Sequence, residues 1–249
     1  MTITHLLLDI EGTTCPVSFV AEVLFPYARQ RLASFLAEHQ NDPKVADLVN
    51  AVRERWRADQ SQGARALLQA DGDRSQFEPS VVPYLQWLSD HDIKDTALKD
   101  LQGRIWKEGY ASGAIVAPLF NDVPPALQRW HRQGLVLAVY SSGSVPAQHL
   151  LYGHTQTGDL RALFSHWFDT RTGLKQDASS YQAICSTMGC RPEKVLFISD
   201  ALPELEAATA AGLTVLFSDR AGNPGRDSGP FEKISDYSTL RIDHGTHGA

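Results

Sequence analysis

The stretch that decides the fold is Ile3–Thr14, which reads ITHLLLDIEGTT. Its apolar run lacks the alternation of a half-exposed strand, so Ile3–Ile10 is predicted to be a strand of a parallel sheet that is buried on both faces. The run ends around Asp9, and Glu11 follows two residues later. Because open parallel sheets bind ligands beyond the carboxyl ends of their strands, both acids are candidates for a functional site.

Three later apolar runs also predict buried strands, at Leu135–Tyr140, Val195–Ile198 and Leu213–Phe217. Helical segments with start and stop signals are predicted around them, at Asp122–His131, Asp177–Met188 and Pro203–Ala211. Strand and helix therefore alternate in this half of the chain. That alternation is typical of a doubly wound α/β fold with a parallel sheet.

A long helical stretch separates the first strand from the second. Its helices are predicted at Ala21–His39, Lys44–Ala58, Val81–Ser89 and Thr96–Tyr110. A crossover between parallel strands needs only a dozen or so residues, so the extra length indicates an inserted helical domain. We predict an α/β core formed by residues 1–15 and 118–235, a helical domain at 16–117, and a flexible C-terminal tail at 236–249.

Composition excludes several classes of protein. The chain has 249 residues and a net charge of -6, without the Lys/Arg stripe of a nucleic-acid binder. Its three cysteines follow no disulfide pattern, which favours a reducing compartment. No run approaches the ~20 apolar residues of a membrane span, and the N-terminus does not resemble a signal peptide. We therefore expect a cytoplasmic protein that contacts neither membrane nor nucleic acid.

The ends of the later strands and the loops beside them carry further polar residues. Ser141 and Ser142 follow the second strand, and Asp200 follows the strand that ends at Ile198, with Glu204 just beyond. Lys175 lies in a loop between these strands. Parallel strands present their carboxyl ends at one edge, so these groups are expected to converge there with Asp9.

Each of these groups suits phosphoryl transfer. Asp9 can attack phosphorus to form an acyl-phosphate, and Glu11 can protonate the leaving oxygen and then activate water. Mg²⁺ can bridge Asp9, Asp200 and a phosphoryl oxygen. Lys175 would neutralise the crowded negative charge, and Ser141 would hold a phosphate oxygen. The residues therefore predict a magnesium-dependent phosphohydrolase.

The same motifs resemble a known superfamily. Asp9-x-Glu11, Ser141, Lys175 and the stretch Ser199–Glu204 match in order and spacing the four motifs of the haloacid dehalogenase (HAD) superfamily. That resemblance implies a HAD-like sheet, with the insertion as a helical cap of the C1 type. The first motif of the superfamily usually reads Asp-x-Asp, and this chain has glutamate at the second acid.

That departure points to one branch. The wordings DIEGTTCP at 9–16, YSSGSV at 140–145 and IWKEGY at 105–110 resemble the enolase-phosphatases (acireductone synthases) of methionine salvage. The resemblance implies enolisation of 2,3-diketo-5-methylthiopentyl-1-phosphate, followed by dephosphorylation to the acireductone. It implies an Mg²⁺ site and a substrate site, and we expect a monomer. The magnesium ligands would be Asp9, Glu11 and Asp200, and the substrate contacts would be Ser141, Ser142 and Lys175.

Other interpretations remain at this point. The chain could be another HAD phosphatase or phosphomutase that acts on a small phosphorylated metabolite. A dehalogenase, which needs neither the metal nor Glu11, and a non-enzymatic binding module fit the residues less well. The spacing Cys185-x5-Arg191 matches the cysteine-phosphatase signature. However, Cys185 falls within a predicted helix rather than in a loop after a strand, which favours a packing role.

Overall fold

A computed structural model describes residues 2–71 and 80–242. The chain divides into two compact units. The α/β unit comprises Met1–Val20 and Val116–Ala249, and the helical unit comprises Ala21–Ile115. Within the described ranges, no helix combines the length and the apolarity needed to cross a membrane.

The α/β unit is built on a parallel sheet of six strands in the order β3-β2-β1-β4-β5-β6. The strands are β1 His5–Leu8, β2 Val136–Tyr140, β3 Phe164–Phe168, β4 Val195–Ser199, β5 Thr214–Ser218 and β6 Lys233–Ile234. In β1, Leu8 pairs with Val139 of β2 on one side and with Ile198 of β4 on the other. The segments that follow these three strands therefore begin side by side.

The centre of the sheet is apolar on both faces, because helices cover both sides of it. The side chains of β1 from Leu6 to Leu8 are fully buried, and β4 is buried along its whole length. Burial of this kind contributes about 25 cal/mol per Å² of apolar surface. The continuous apolar runs in the sequence reflect this arrangement.

The helical unit has its own apolar core. A π-helical turn at Phe19–Leu24 leads into α1, and the five α-helices are α1 Phe25–Glu38, α2 Pro43–Ala58, α3 Gln62–Asp71, α4 Val82–Asp90 and α5 Thr96–Ala111. Trp56 stacks on Tyr84 with ring centroids 5.2 Å apart, and both rings are buried. Asp42 and Asp95 accept hydrogen bonds from main-chain N–H groups at the starts of α2 and α5, which explains where those helices begin.

Four more helices flank the sheet: α6 Val123–Arg132, α7 Val145–Gly153, α8 Ala178–Met188 and α9 Leu202–Ala210. Asp177 caps α8, and Gly189 ends it in the left-handed conformation with φ of 66°. The predicted fold class, a doubly wound parallel α/β sheet with an inserted helical segment, is confirmed.

The structure adds elements that the sequence did not indicate. Strand β3 reads FSHWF, and its polar residues and half-exposed positions interrupt the apolar run that marks the other strands. Strand β6 has only two residues. Helices α3 and α7 were also missed. Helix α7 begins directly after the serine-rich segment 141–144, for which the sequence predicted only contacts with a ligand.

The end of the chain also differs from the prediction. Of the tail expected at 236–249, the structure describes residues up to Ile242. Tyr237 within it is fully buried, donates a hydrogen bond to the carbonyl of Thr13 and packs against Trp130. The α/β core therefore continues beyond residue 235, because an aromatic ring near the end of the chain packs inside it.

Candidate active site

Asp9 is the first residue after β1. Its N–H donates to the carbonyl of Ile198 at 3.0 Å, which continues the pairing with β4 by one residue. Its Oδ1 accepts a hydrogen bond from Lys175 Nζ at 2.5 Å, and the two side chains are only 8% and 10% exposed. A buried carboxylate needs such a partner, since desolvation alone would make its charge costly.

Lys175 has a second carboxylate partner. Its Nζ lies 2.7 Å from Glu204 Oε2, and the same oxygen accepts a hydrogen bond from Ser199 Oγ at 2.8 Å. Burial lowers the pKa of Lys175, but the charges of Asp9 and Glu204 outweigh burial and hold it above its ordinary value. The lysine is therefore a permanent cation between two acids.

The loop that carries Lys175 is fixed by three hydroxyl groups. Tyr140, Ser180 and Tyr181 donate in turn to the three successive carbonyls of residues 173–175, at 2.9, 2.8 and 2.7 Å. Tyr140 lies at the end of β2, and the other two lie in the first turn of α8. The ammonium is therefore placed by the sheet and by a helix rather than by a free loop.

Asp200 and Glu204 both have raised pKa values. Burial is the larger cause, the charge of Asp9 adds to it, and Lys175 opposes it, so the pKa of each carboxyl rises to about 7. Glu204 occupies the first turn of α9. Asp200 lies against the main chain of Gly12, where an added Cβ would overlap its carboxylate.

Glu11 lies in the turn that follows Asp9. Its side chain is half-buried, and its negative charge adds to the forces that raise the pKa of Asp200. Burial and, secondarily, Glu11 raise the pKa of Cys15. The Cys15 thiol is therefore neutral, and the charged group that this turn contributes to the site is the carboxylate of Glu11.

Ser141 and Ser142 follow β2, but they differ in exposure. Ser141 is buried, and its Oγ accepts a hydrogen bond from the N–H of Gly143 at 3.1 Å. The side chain of Ser142 is exposed. The turn formed by these residues is suited to presenting hydroxyl and N–H groups to an anion.

Two side chains that hold this serine turn were not predicted from the sequence. Asp169, which follows β3, accepts the N–H of Val145 at 3.1 Å. Gln148 donates to the carbonyls of Gly143 and Phe168, both at 2.8 Å. Recognising β3 as a strand would have placed Asp169 at the same sheet edge as the other acids.

The sequence predicts Glu204 at the start of a helix and near the other polar groups of this sheet edge. The structure places it in the first turn of α9, as predicted, and also gives it the direct contact with Lys175. The contact with Lys175 could have been predicted, because Glu204 follows Ser199-Asp200 closely at the ligand edge of the sheet.

The cysteine-phosphatase alternative is not supported. Cys185 lies inside α8 and is buried. Burial, and then the neighbouring Cys190, raise the pKa of Cys185 to about 12. Its thiol therefore carries almost no thiolate at neutral pH.

Within the described part of the chain, one group of three metal-type side chains has ligand atoms within 4.8 Å of one another, Glu38, His39 and Glu108. It lies on the helical unit, where His39 Nε2 is 2.6 Å from Glu108 in a half-exposed pair. Among the residues that the structure describes, Asp9, Glu11 and Asp200 do not bring three ligand atoms within that distance of one another.

Comparison with known proteins places this arrangement in a class. The family model of haloacid dehalogenase-like hydrolases matches residues 3–212, and the chain belongs to that family. The CbbY protein of Rhodobacter sphaeroides, solved in complex with phosphate, shares the fold with a TM-score of 0.56 at 19% identity, covering 96% of each chain.

More similar relatives define the branch. The enolase-phosphatase E1 of Parasynechococcus marenigrum (strain WH8102) is 51% identical over 90% of this chain and 92% of its own length. That of Prochlorococcus marinus (strain MIT 9313) is 48% identical over 96% and 98%. The UTR4 protein of Saccharomyces cerevisiae superposes with a TM-score of 0.76 at 31% identity, covering 96% of this chain and 100% of that one. Within the hydrolases, the chain belongs to the enolase-phosphatase E1 family.

Proposed function

We propose that this chain is a magnesium-dependent enolase-phosphatase of methionine salvage. It would convert 2,3-diketo-5-methylthiopentyl-1-phosphate to the acireductone by enolisation and then dephosphorylation. The observation that carries the proposal is the buried contact of Asp9 with Lys175, which is paired in turn with Glu204. This set places a carboxylate nucleophile beside a fixed cation at the ligand edge of the sheet.

Dephosphorylation proceeds in two displacements. In the first, an Asp9 oxygen attacks phosphorus, the ester P–O bond breaks, and Glu11 gives a proton to the leaving oxygen. In the second, Glu11 takes a proton from water, the water oxygen attacks phosphorus, and the bond to Asp9 breaks to release phosphate. Lys175 stabilises the negative charge that the phosphoryl oxygens bring close to Asp9.

Enolisation comes before phosphate removal. A site carboxylate takes the proton from the carbon next to a carbonyl, and the carbonyl oxygen gains negative charge. We propose that Ser141, Ser142 and Lys175 hold the phosphate during this step. The turn that bears Ser141 is anchored by Asp169 and Gln148, which keeps the phosphate position constant through both reactions.

The donor set fits a hard divalent cation. Asp9, Glu11, Asp200 and Glu204 outnumber Lys175, and the charges of Asp9 and Glu11 add to burial in raising the pKa of Asp200. Mg²⁺ retains several waters and needs only one or two carboxylates. Asp9, Glu11 and Asp200 would hold the ion. When bound, the ion neutralises phosphoryl charge and polarises a carbonyl.

We also propose that the helical unit is the cap domain of the family. It is inserted after β1 and before β2 in the chain.

The decisive experiment supplies the diketone phosphate with Mg²⁺ and follows enol absorbance and phosphate release separately. We expect the enol to build up first, phosphate to follow, and both to stop in EDTA. Para-nitrophenyl phosphate serves as the matched generic ester. Turnover of that ester without enol formation from the diketone would overturn the proposal in favour of another phosphatase of the same family.

A further inference from the structure

In the turn after Asp9, residues 10–15, the main-chain carbonyls of Gly12 and Thr13 accept hydrogen bonds from side chains elsewhere in the chain. Inside the turn, the N–H groups of residues 13–15 donate to the carbonyl of Ile10 at 3.2, 2.9 and 2.9 Å. The carbonyls of Gly12 and Thr13 take no part in these bonds. Glu11 lies between Ile10 and Gly12, so whatever holds these two carbonyls also places Glu11.

Both carbonyls accept hydrogen bonds from buried side chains that follow β5 or lie at its end. Ser218 Oγ and Asn223 Nδ2 each donate to the carbonyl of Gly12 at 2.9 Å. The hydroxyl of Tyr237 donates to the carbonyl of Thr13 at 3.1 Å. The three side chains are at most 8% exposed, so water does not replace them. Loss of the Tyr237 hydroxyl leaves the buried carbonyl of Thr13 without this donor, at a cost of about 1–3 kcal/mol. Loss of Ser218 or of Asn223 leaves the carbonyl of Gly12 with one of its two donors.

Gly12 fits tightly between two of the groups around it. Its φ is +68°, a conformation that favours glycine. A Cβ at this position would overlap the carboxylate of Asp200 on one side and the amide of Asn223 on the other. The main chain next to Glu11 is therefore enclosed, and a shift of Asn223 would change the spacing between Glu11 and Asp200.

Tyr237 is itself held by a buried cation. The guanidinium of Arg220 lies 4.2 Å from the centroid of the Tyr237 ring and 4.6 Å from that of Phe120. Its Nη1 also donates to Asp122 at 2.9 Å. These contacts fix the ring and therefore fix its hydroxyl on the turn.

We propose that Ser218, Asn223 and Tyr237 are positioning residues, which together set where the Glu11 carboxylate meets the leaving oxygen of the substrate. The inference rests on the proposed function of Glu11 as proton donor. A displacement of about 1 Å in a catalytic group can cost ~10²-fold in rate. Fixing the turn through two adjacent carbonyls prevents such a displacement.

This role predicts a dependence on the leaving group that a purely structural role would not produce. The phenolate released from phenyl phosphate is strongly basic and needs protonation as the P–O bond breaks. The anion released from para-nitrophenyl phosphate needs little protonation. A misplaced Glu11 should therefore impair the first ester much more than the second. The kcat/KM values report the steps up to cleavage of this bond, so they are the appropriate measure.

The variants are Ser218→Ala, Asn223→Ala and Tyr237→Phe, each in the full chain with Mg²⁺. Tyr237→Phe keeps the ring against Arg220 and removes only the hydroxyl. Ser218→Thr restores a hydroxyl and serves as the rescue variant. The matched control is Thr155→Val, which removes another buried hydroxyl of the α/β unit, one that donates to the carbonyl of Gly158 at 2.6 Å.

We expect each single variant to lower kcat/KM for phenyl phosphate about tenfold, and the pair Ser218→Ala with Asn223→Ala to lower it ~10²-fold. The value for para-nitrophenyl phosphate should change about twofold or less. Ser218→Thr and Thr155→Val should keep the wild-type ratio of the two esters. Equal losses on both esters, or none on either, would overturn the proposal. Because both esters are generic, this outcome is separate from the proposed substrate, whose failure would appear as wild-type inactivity on the diketone phosphate.

Discussion

The two units of this protein differ in how far their ion-paired side chains are exposed to solvent. In the α/β unit, Asp9, Lys175 and Glu204 are in contact with exposed fractions of only 8%, 10% and 13%. In the helical unit, the bidentate pair of Arg29 with Asp90 is 41% and 45% exposed. The interior of the helical unit is apolar and aromatic instead.

The difference separates the groups for which we propose a catalytic role from charged groups on the protein surface. Burying charges costs several kcal/mol each even when they are paired, whereas an exposed pair is worth about 0–1 kcal/mol. The α/β unit accepts that cost in the Asp9, Lys175 and Glu204 set and again in the pair of Arg220 with Asp122, whose side chains are 4% and 13% exposed. Matched substitutions of a buried charged residue in the α/β unit and an exposed one in the helical unit should therefore differ in effect, and the largest difference is expected at Asp9.

Asp9→Asn should reduce phosphate release to background while the fold is retained, because the amide cannot act as the nucleophile. The matched control is Asp90→Asn in the helical unit, which breaks an exposed ion pair and should leave turnover unchanged. Phosphate release and circular dichroism spectra check both variants. Substantial turnover by Asp9→Asn would contradict the aspartyl-phosphate mechanism.

Lys175→Met should destabilise the metal-free protein by about 3–5 kcal/mol at neutral pH, since it leaves Asp9 and Glu204 buried without a cation. The loss should grow as the pH rises and shrink in acid, where Glu204, whose pKa is raised to about 7, binds a proton. Arg29→Met in the helical unit should cost no more than about 1 kcal/mol. Urea unfolding at several pH values measures both, and similar losses in the two variants would erase the contrast between the units.

Glu11→Asp should lower turnover by ~10²-fold, because the shorter arm withdraws the carboxylate by about the length of one methylene. Glu11→Gln keeps the length but cannot exchange a proton, so it should impair at least one of the two steps further. Enol build-up and phosphate release are followed separately. If Glu11→Asp equals the wild type in both, the length of this side chain has no catalytic role.

Asp200→Asn should stabilise the metal-free protein at high pH. The pKa of Asp200 rises in the folded state to about 7, from an ordinary value of 3.8, chiefly because the carboxyl is buried. The folded state therefore binds the proton more tightly, and wild-type stability falls as the pH rises from about 4 through 7. The variant escapes this loss, and each kcal/mol gained should raise the Tm by roughly 2–4 °C. Melting in EDTA at pH 4 should show no difference, and a variant less stable at pH 8 would contradict the sign.

The sequence predicted the parts of the fold that depend on local pattern. Strands β1, β2, β4 and β5 are continuous apolar runs, and the acids and serines that follow them were placed at one edge by topology alone. The sequence did not indicate β3, where His166 and Ser165 interrupt the run. It therefore also missed Asp169 and its hold on the serine turn.

The side chains that hold the Glu11 turn could not be predicted from the sequence, for a different reason. Ser218, Asn223 and Tyr237 contact the turn across 206, 211 and 224 residues of sequence. Their own surroundings are rich in Gly, Pro, Asp and Ser, which indicates only loop. Nothing in a local pattern reports a side chain whose partner is a main-chain carbonyl near the other end of the chain.

The position of β1 in the sheet also has a consequence during synthesis. This strand is made first, yet its hydrogen-bonding partners are β2 and β4, which end at Tyr140 and Ser199. At about 5–20 residues per second, the ribosome needs on the order of ten seconds or more to supply them. The helical unit, contiguous in sequence from Ala21 to Ile115, has all of its residues long before then. The apolar strand β1 therefore remains without its sheet partners during this interval, and Asp9 is translated well before the strands that fix its position.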